Sequence, residues 1–173
     1  MTEIQIEEKV NAVFEETGLI SIPVEVVSMA NFYGFEVYEL EMDSNTSGII
    51  IIDTKPIKNF DSEKVIVVNS DHSKARKRFT IAHELGHYIL RGKPTTCYAH
   101  RDSSENYDSD EKDANSFASA LLMPKEDIIR YANSEQEDLN GEMIEFLLIA
   151  KVAKRYNVSQ SAAEVRLKKI GII

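Results

Sequence analysis

Five consecutive residues, His83-Glu84-Leu85-Gly86-His87, constrain this chain more than any other stretch. On a helix, residues four apart share a face, so two imidazoles one turn apart can converge on a single cation. The HExxH spacing is the pattern in which two histidines hold Zn2+ and a glutamate stands beside the first of them. Catalytic zinc keeps an open position, and it brings the pKa of a water there from 15.7 towards about 7. Glu84 stands where it could take that water's proton and later deliver it to a leaving amine. At 100° per residue, Phe79, Ile81, Ala82, Leu85, Gly86, Tyr88, Ile89 and Leu90 cover one broad apolar arc, and Thr80, His83, Glu84 and His87 fall on the remaining strip. A helix buried over most of its girth, with its polar strip holding two histidines and an acid, is what the wall of a cleft requires. Gly86 costs about 1 kcal/mol against alanine in mid-helix, which predicts close approach of another element.

Catalytic zinc usually takes three protein ligands, so a third must come from elsewhere. His72 precedes the helix, His100 follows it, and an acidic run of Asp108, Asp110, Glu111 and Asp113 opens the next helical stretch. On that stretch Glu111, Asn115, Ala118 and Leu122 form one strip bordering the apolar face of Ala114, Phe117 and Leu121. Glu111 is the expected ligand at a buried edge. Asn115, one turn on, could orient its carboxylate, and Ala114 and Ala118 would let the two helices approach closely. Asp108, Asp110 and Asp113 read as ordinary dipole stabilisation of a helix start. The donor that steadies developing negative charge on the substrate stays open among Tyr88, Tyr98, His100, Arg101 and Tyr107, with Tyr88 facing the apolar arc.

Around these segments the hydrophobic period changes along the chain. Glu3 to Thr17 and a proline-led stretch from Pro23 to Gly34 read as helices. Phe35–Leu40, Gly48–Asp53 and Lys64–Val68 are strand-length and predict a small three-stranded antiparallel sheet before the HELGH helix. Ser73 to Arg91 is helical, Lys93 to Ser109 a polar loop, Asp110 to Met123 helical, with a shorter helix from Pro124 to Ala132. Met143 to Tyr156 and Ser159 to Ile170 close the chain as a helical pair within 140–173, Ser159 serving as N-cap. No repeat or long linker divides the 173 residues, so a single α+β unit over 1–173, mainly helical, is expected.

One cysteine, Cys97, forbids an intramolecular disulfide, and the start MTEIQIEEKV lacks a secretory signal, which points to a reducing cytosol. The longest aliphatic run, Ile49 to Ile52, is far short of the roughly 20 residues needed to span a bilayer. A net charge of −9 repels phosphates at long range. Two basic clusters, Lys74, Arg76, Lys77 and Arg78, and Lys151, Lys154, Arg155, Arg166, Lys168 and Lys169, read first as solvated helix faces. The last helical pair, AKVAKRYNVSQSAAEVRLKKI, has a helix-turn-helix look, though its apolar residues also suit a packed terminal pair. Direct DNA binding is not expected.

The strings RKRFTIAHELGHYIL and EKDANSFASALLMP resemble the two signatures of the ImmA/IrrE metallopeptidases, closely over 77–90 and 111–124. The resemblance implies a zincin-like fold, His83 and His87 as zinc ligands, Glu111 as the third and Glu84 as catalytic acid/base. It also implies a cytosolic anti-repressor that cleaves a helix-turn-helix repressor of a prophage or mobile element. Many relatives carry a further histidine just after the HELGH helix, where this chain has Arg91. The rival reading from another class is a regulator that binds DNA or a repressor and uses zinc structurally, without proteolysis.

Overall fold

The computed structural model describes residues 1–98, 107–138 and 144–173. The elements in order are α1 (Glu3–Thr17), α2 (Val26–Phe32), β1 (Glu36–Leu40), β2 (Gly48–Ile57), β3 (Ser62–Asn69), α3 (Lys74–Leu90), β4 (Cys97–Tyr98), α4 (Tyr107–Leu122), α5 (Lys125–Asp138), α6 (Ile144–Tyr156) and α7 (Gln160–Lys169). The fold is α+β and mostly helical, as the periodicity predicts. No helix among the described residues is long and apolar enough to cross a membrane.

Local chemistry sets the helix ends. Thr2 and Gln5 make a reciprocal capping box at the start of α1, and Gly18 closes it with φ 67°. The Ser73 side chain accepts from the Arg76 N–H and caps α3, and Ser159 accepts from Ala162 at the start of α7. Pro23 departs from expectation: it follows a cis peptide bond and lies ahead of α2, whose N-cap is Glu25, rather than in its first turn. The helix after Pro124 runs on to Asp138, beyond the expected stop at Ala132.

The sheet corrects the antiparallel expectation. Its order is β1-β3-β2-β4; β2 pairs antiparallel with β3 and β4, whereas β1 pairs parallel with β3, Glu36 opposite Val65. The physical reason lies in β3, where Val65, Ile66, Val67 and Val68 are all buried and neither face is left to water. A strand apolar on both faces belongs in the interior of a sheet with a neighbour on each side. The chain reverses between β1 and β2 and again in the β2–β3 hairpin, so β3 runs in the same sense as β1 and offers it the edge that β2 leaves free. β4 adds a short strand inside the stretch expected to be loop, pairing Ile52 with Cys97.

Helix α3 packs on β2, β3 and α2 and, more extensively, on α4; α4 in turn contacts α1 and α7. The core of α4 is solid: Ala114, Phe117, Ala118, Ala120, Leu121 and Leu122 are fully buried. Tyr88 on α3 meets Phe35 edge-on at 4.9 Å and its hydroxyl accepts from Lys64 Nζ at 2.9 Å, so its polar end is spent on the sheet. The site helix is thereby held between a sheet and a second helix.

Candidate metal centre

Where α3 and α4 cross, the glycine expectation holds: a Cβ on Gly86 would lie 3.1 Å from Phe117 Cδ1 and 3.3 Å from Ala114 Cα and O. Close approach brings the two polar strips together. His83 Nε2 and His87 Nε2 are 3.0 Å apart, and Glu111 on α4 places Oε2 3.3 Å from the first and Oε1 3.0 Å from the second. Ligand atoms bonded at 2.0–2.1 Å to a tetrahedral ion are separated by roughly 3.3–3.4 Å, so the three groups need little adjustment to share one dication. The His83 and His87 rings stand at 86° with centroids 4.6 Å apart, so their edges converge without stacking. Among the described residues this is the one group of three or more His, Cys, Asp or Glu side chains close enough to hold a metal ion. His72 is not part of it, and His100 lies outside the described residues.

Asn115 pairs with His83 rather than with Glu111, the partner expected from the sequence. Its Oδ1 lies 3.0 Å from His83 Nδ1, and since an amide oxygen only accepts, Nδ1 carries the proton and Nε2 presents its lone pair to the site. Burial lowers the His83 pKa, with Glu111 and Asn115 opposing. Burial and then the neighbouring His83 hold His87 down at about 4, opposed by Glu111. Both imidazoles are therefore neutral at pH 7, as metal ligation requires.

Glu84 is adjacent to His83 and only 9% exposed. Burial, reinforced by the Glu111 charge, pushes its carboxyl up to about 8, while Arg91 pulls the other way. A bound dication would counter that rise. A carboxyl balanced near neutrality can both accept and return a proton at working pH.

Of the groups left open for charge stabilisation, Tyr88 is occupied with Lys64; His100 and Arg101, and the side chains of Tyr98 and Tyr107, lie outside the described residues. Arg91, which stands where many relatives carry a histidine, had no expected role. It borders a cavity next to His87 together with Met1, Leu90, Asp110 and Asp113. The signal was present in the spacing, because 83, 87 and 91 lie four apart on one helical face.

A sheet-backed HExxH helix crossed by a helix that supplies a carboxylate defines a candidate metallopeptidase centre. The model of the Peptidase_M78 family, described as IrrE N-terminal-like domain, matches residues 34–168, and the chain belongs to that family. It is 35% identical over 113 residues to the radiation response metalloprotease IrrE of Deinococcus radiodurans, covering 60% of this chain and 31% of that protein. It is 36% identical over 72 residues to a protein described as uncharacterized immunity region protein 2 of Bacillus phage phi105, covering 42% of this chain and 46% of the relative. The chain thus spans less than half the length of these curated relatives. A Mycobacterium tuberculosis transcriptional regulator shares the fold at TM-score 0.58 and 16% identity, over 92% of this chain and 45% of the regulator.

Proposed function

We propose that the chain is a zincin-like, zinc-dependent endopeptidase of the cytosol, acting on a protein substrate: a helix-turn-helix repressor of a prophage or mobile element. His83, His87 and Glu111 hold the metal and Glu84 is the catalytic acid/base. The observation that carries this reading is the convergence of two neutral imidazoles and one carboxylate within 3.0–3.3 Å, with a buried glutamate beside them. Three protein donors among the described residues would leave a four-coordinate ion one position for water or substrate. Zinc, when bound, supplies Lewis acidity that polarises the scissile carbonyl and makes water a nucleophile near neutral pH. Glu84 removes a proton from the attacking water and passes it to the departing amine, and Asn115 keeps His83 in its ligating tautomer. The donor set also accommodates other first-row dications, and two imidazoles with a carboxylate make zinc the first choice.

The metalloprotease and immunity-region relatives support a peptidase that acts in repressor control. The rival, a DNA- or repressor-binding regulator with structural zinc, fits less well. Arg166 on α7 is fully buried and paired with Glu3 and Glu7, Lys169 is paired with Glu3, and Lys168 with Glu164. A helix whose cations are committed to its own protein has few left for phosphates.

The test is to incubate wild-type and Glu84→Gln protein, each with measured zinc content, with the repressor encoded beside the gene. Wild type should cleave and lose the activity to a chelator, while Glu84→Gln keeps its metal and leaves the repressor intact. Equal cleavage by both removes Glu84 from the mechanism. A zinc-loaded wild type that binds the repressor without cutting it favours the rival.

A further inference from the structure

The cavity beside the metal centre, about 210 Å3 in volume, is walled by His87, Leu90, Arg91, Asp110, Asp113 and Met1. One wall is therefore a metal ligand, which makes the cavity contiguous with the reacting centre. Its charges are mostly spoken for. Both oxygens of Asp113 take the Met1 ammonium at 2.8 Å, and Asp110 faces Arg91.

Arg91 is the exception. Its N–H closes the last turn of α3 on the His87 carbonyl at 3.2 Å, so it follows His87 on the face that carries His83. Side chains on a helix lean towards its N-terminus, which brings a long arginine at 91 back over His87. Consistent with that placement, the Arg91 charge is felt at both Glu84 and His87. Its one ion pair among the described residues, Nη2 to Asp110 Oδ2, spans 3.4 Å with the two side chains 45% and 46% exposed. Charge-assisted N–H···O bonds normally measure about 2.7–2.9 Å, and an exposed pair of this length contributes little. A guanidinium has five N–H donors in a planar fork matched to a carboxylate. Arg91 lines the cavity, and among the described residues Asp110 is its one ion-pair partner.

We propose that this cavity is a specificity subsite for a carboxylate side chain, Asp or Glu, of a substrate residue flanking the scissile bond, with Arg91 as its recognition residue. The inference rests on the metallopeptidase reading and deepens it. In this half-open cavity an incoming carboxylate can meet the fork on two N–H groups at once, whereas Asp110 reaches one at long range. Asp110 thereby acts as a weak placeholder that keeps the guanidinium partly neutralised when the subsite is empty.

The test uses zinc-loaded protein and four probes: acetohydroxamate, and the N-acetylglutamyl, N-acetylglutaminyl and N-acetyllysyl hydroxamates, with affinities read by calorimetry. The hydroxamate group addresses the metal in all four, and the side chain addresses the subsite. The glutamyl probe should bind about tenfold more tightly than its glutaminyl isostere, as expected of a charge-assisted contact. Arg91→Gln should bring that ratio close to one while acetohydroxamate still binds, and Asp110→Asn should increase it. Equal binding of the glutamyl and glutaminyl probes overturns the subsite, as does a preference that survives Arg91→Gln. Tightest binding of the lysyl probe assigns the cavity to its aspartates and overturns it as well. If acetohydroxamate itself fails to bind zinc-loaded protein, the metallopeptidase reading falls and the subsite falls with it.

Discussion

The Nδ1 of His83, on one helix, donates to the Oδ1 of Asn115, on another, across 3.0 Å. On the proposed reading one hydrogen bond couples helix packing to metal ligation, because the donor nitrogen and the nitrogen that would bind the metal belong to the same ring. Removing such a partner typically costs 10–100-fold in metal affinity. Asn115→Ala should lose zinc affinity by about that factor with little change in metal-free stability, measured by competition against a chromophoric chelator. Asn115→Asp, which still accepts, should recover most of the loss. An Ala variant with wild-type affinity would show that His83 needs no orienting partner.

Gly86 tests the crossing itself. Valine there would drive its side chain into Phe117 and the Ala114 backbone, and backbone cannot swing aside as a side-chain tip can. Overpacking of this kind costs about 1–3 kcal/mol, and a β-branched residue adds little helix propensity in return. Gly86→Val should lower stability by about 3 kcal/mol in urea denaturation. It should also weaken zinc binding, because Glu111 arrives from the displaced α4.

Arg166 separates a packed terminal pair from a DNA-reading helix. Its Nε donates to the Met123 carbonyl at 3.1 Å and Nη1 donates to Glu3 at 3.1 Å; Nη1 also lies 2.7 Å from Glu7 Oε1, in ionic contact without hydrogen-bond alignment. Removing one member of a buried ionic cluster strands the others and costs about 3–5 kcal/mol. Arg166→Met should be destabilised by that amount, and adding Glu7→Leu should restore part of it. A stable Arg166→Met protein with altered binding to duplex DNA would instead place the residue at a nucleic-acid surface.

Acid sensitivity should have a local source at Glu16. Lys93 Nζ donates to its carboxylate at 2.7 Å and the Tyr33 hydroxyl at 2.8 Å, and these two bonds, Lys93 first, hold its pKa below the usual 4.5. A carboxyl depressed in the folded state adds stability above its unfolded pKa, and that contribution disappears as pH falls through the folded value. The group is largely solvent-facing, so the effect should stay under about 1 kcal/mol. Glu16→Gln should lower stability slightly at pH 7 and converge with wild type once the pH has fallen through the depressed folded-state pKa, followed by urea midpoints into the acid range.

Several features were legible in the chain because they are local. The i, i+4 spacing puts His83 and His87 on one face whatever surrounds them, the 3.6-residue period exposes a single polar strip on α3, and the same period places Glu111 and Asn115 one turn apart on α4. Gly86 and Ala114 announced a close crossing, since only small residues permit one. Tertiary structure decided the relations that no period encodes. β3 lies between β1 and β2 because its doubly buried Val65–Val68 run takes the interior of the sheet, and two chain reversals, before and after β2, then leave β1 and β3 parallel. Asn115 serves His83 rather than Glu111 because antiparallel packing of α3 and α4 sets position 115 opposite 83 and 111 opposite 87. Arg166, which reads as a solvent-facing cation, is buried because α1 brings Glu3 and Glu7 to it from the other end of the chain. A sequence states which groups share a face; only the packed chain determines what that face meets, because the partner is chosen by burial and charge across the whole fold.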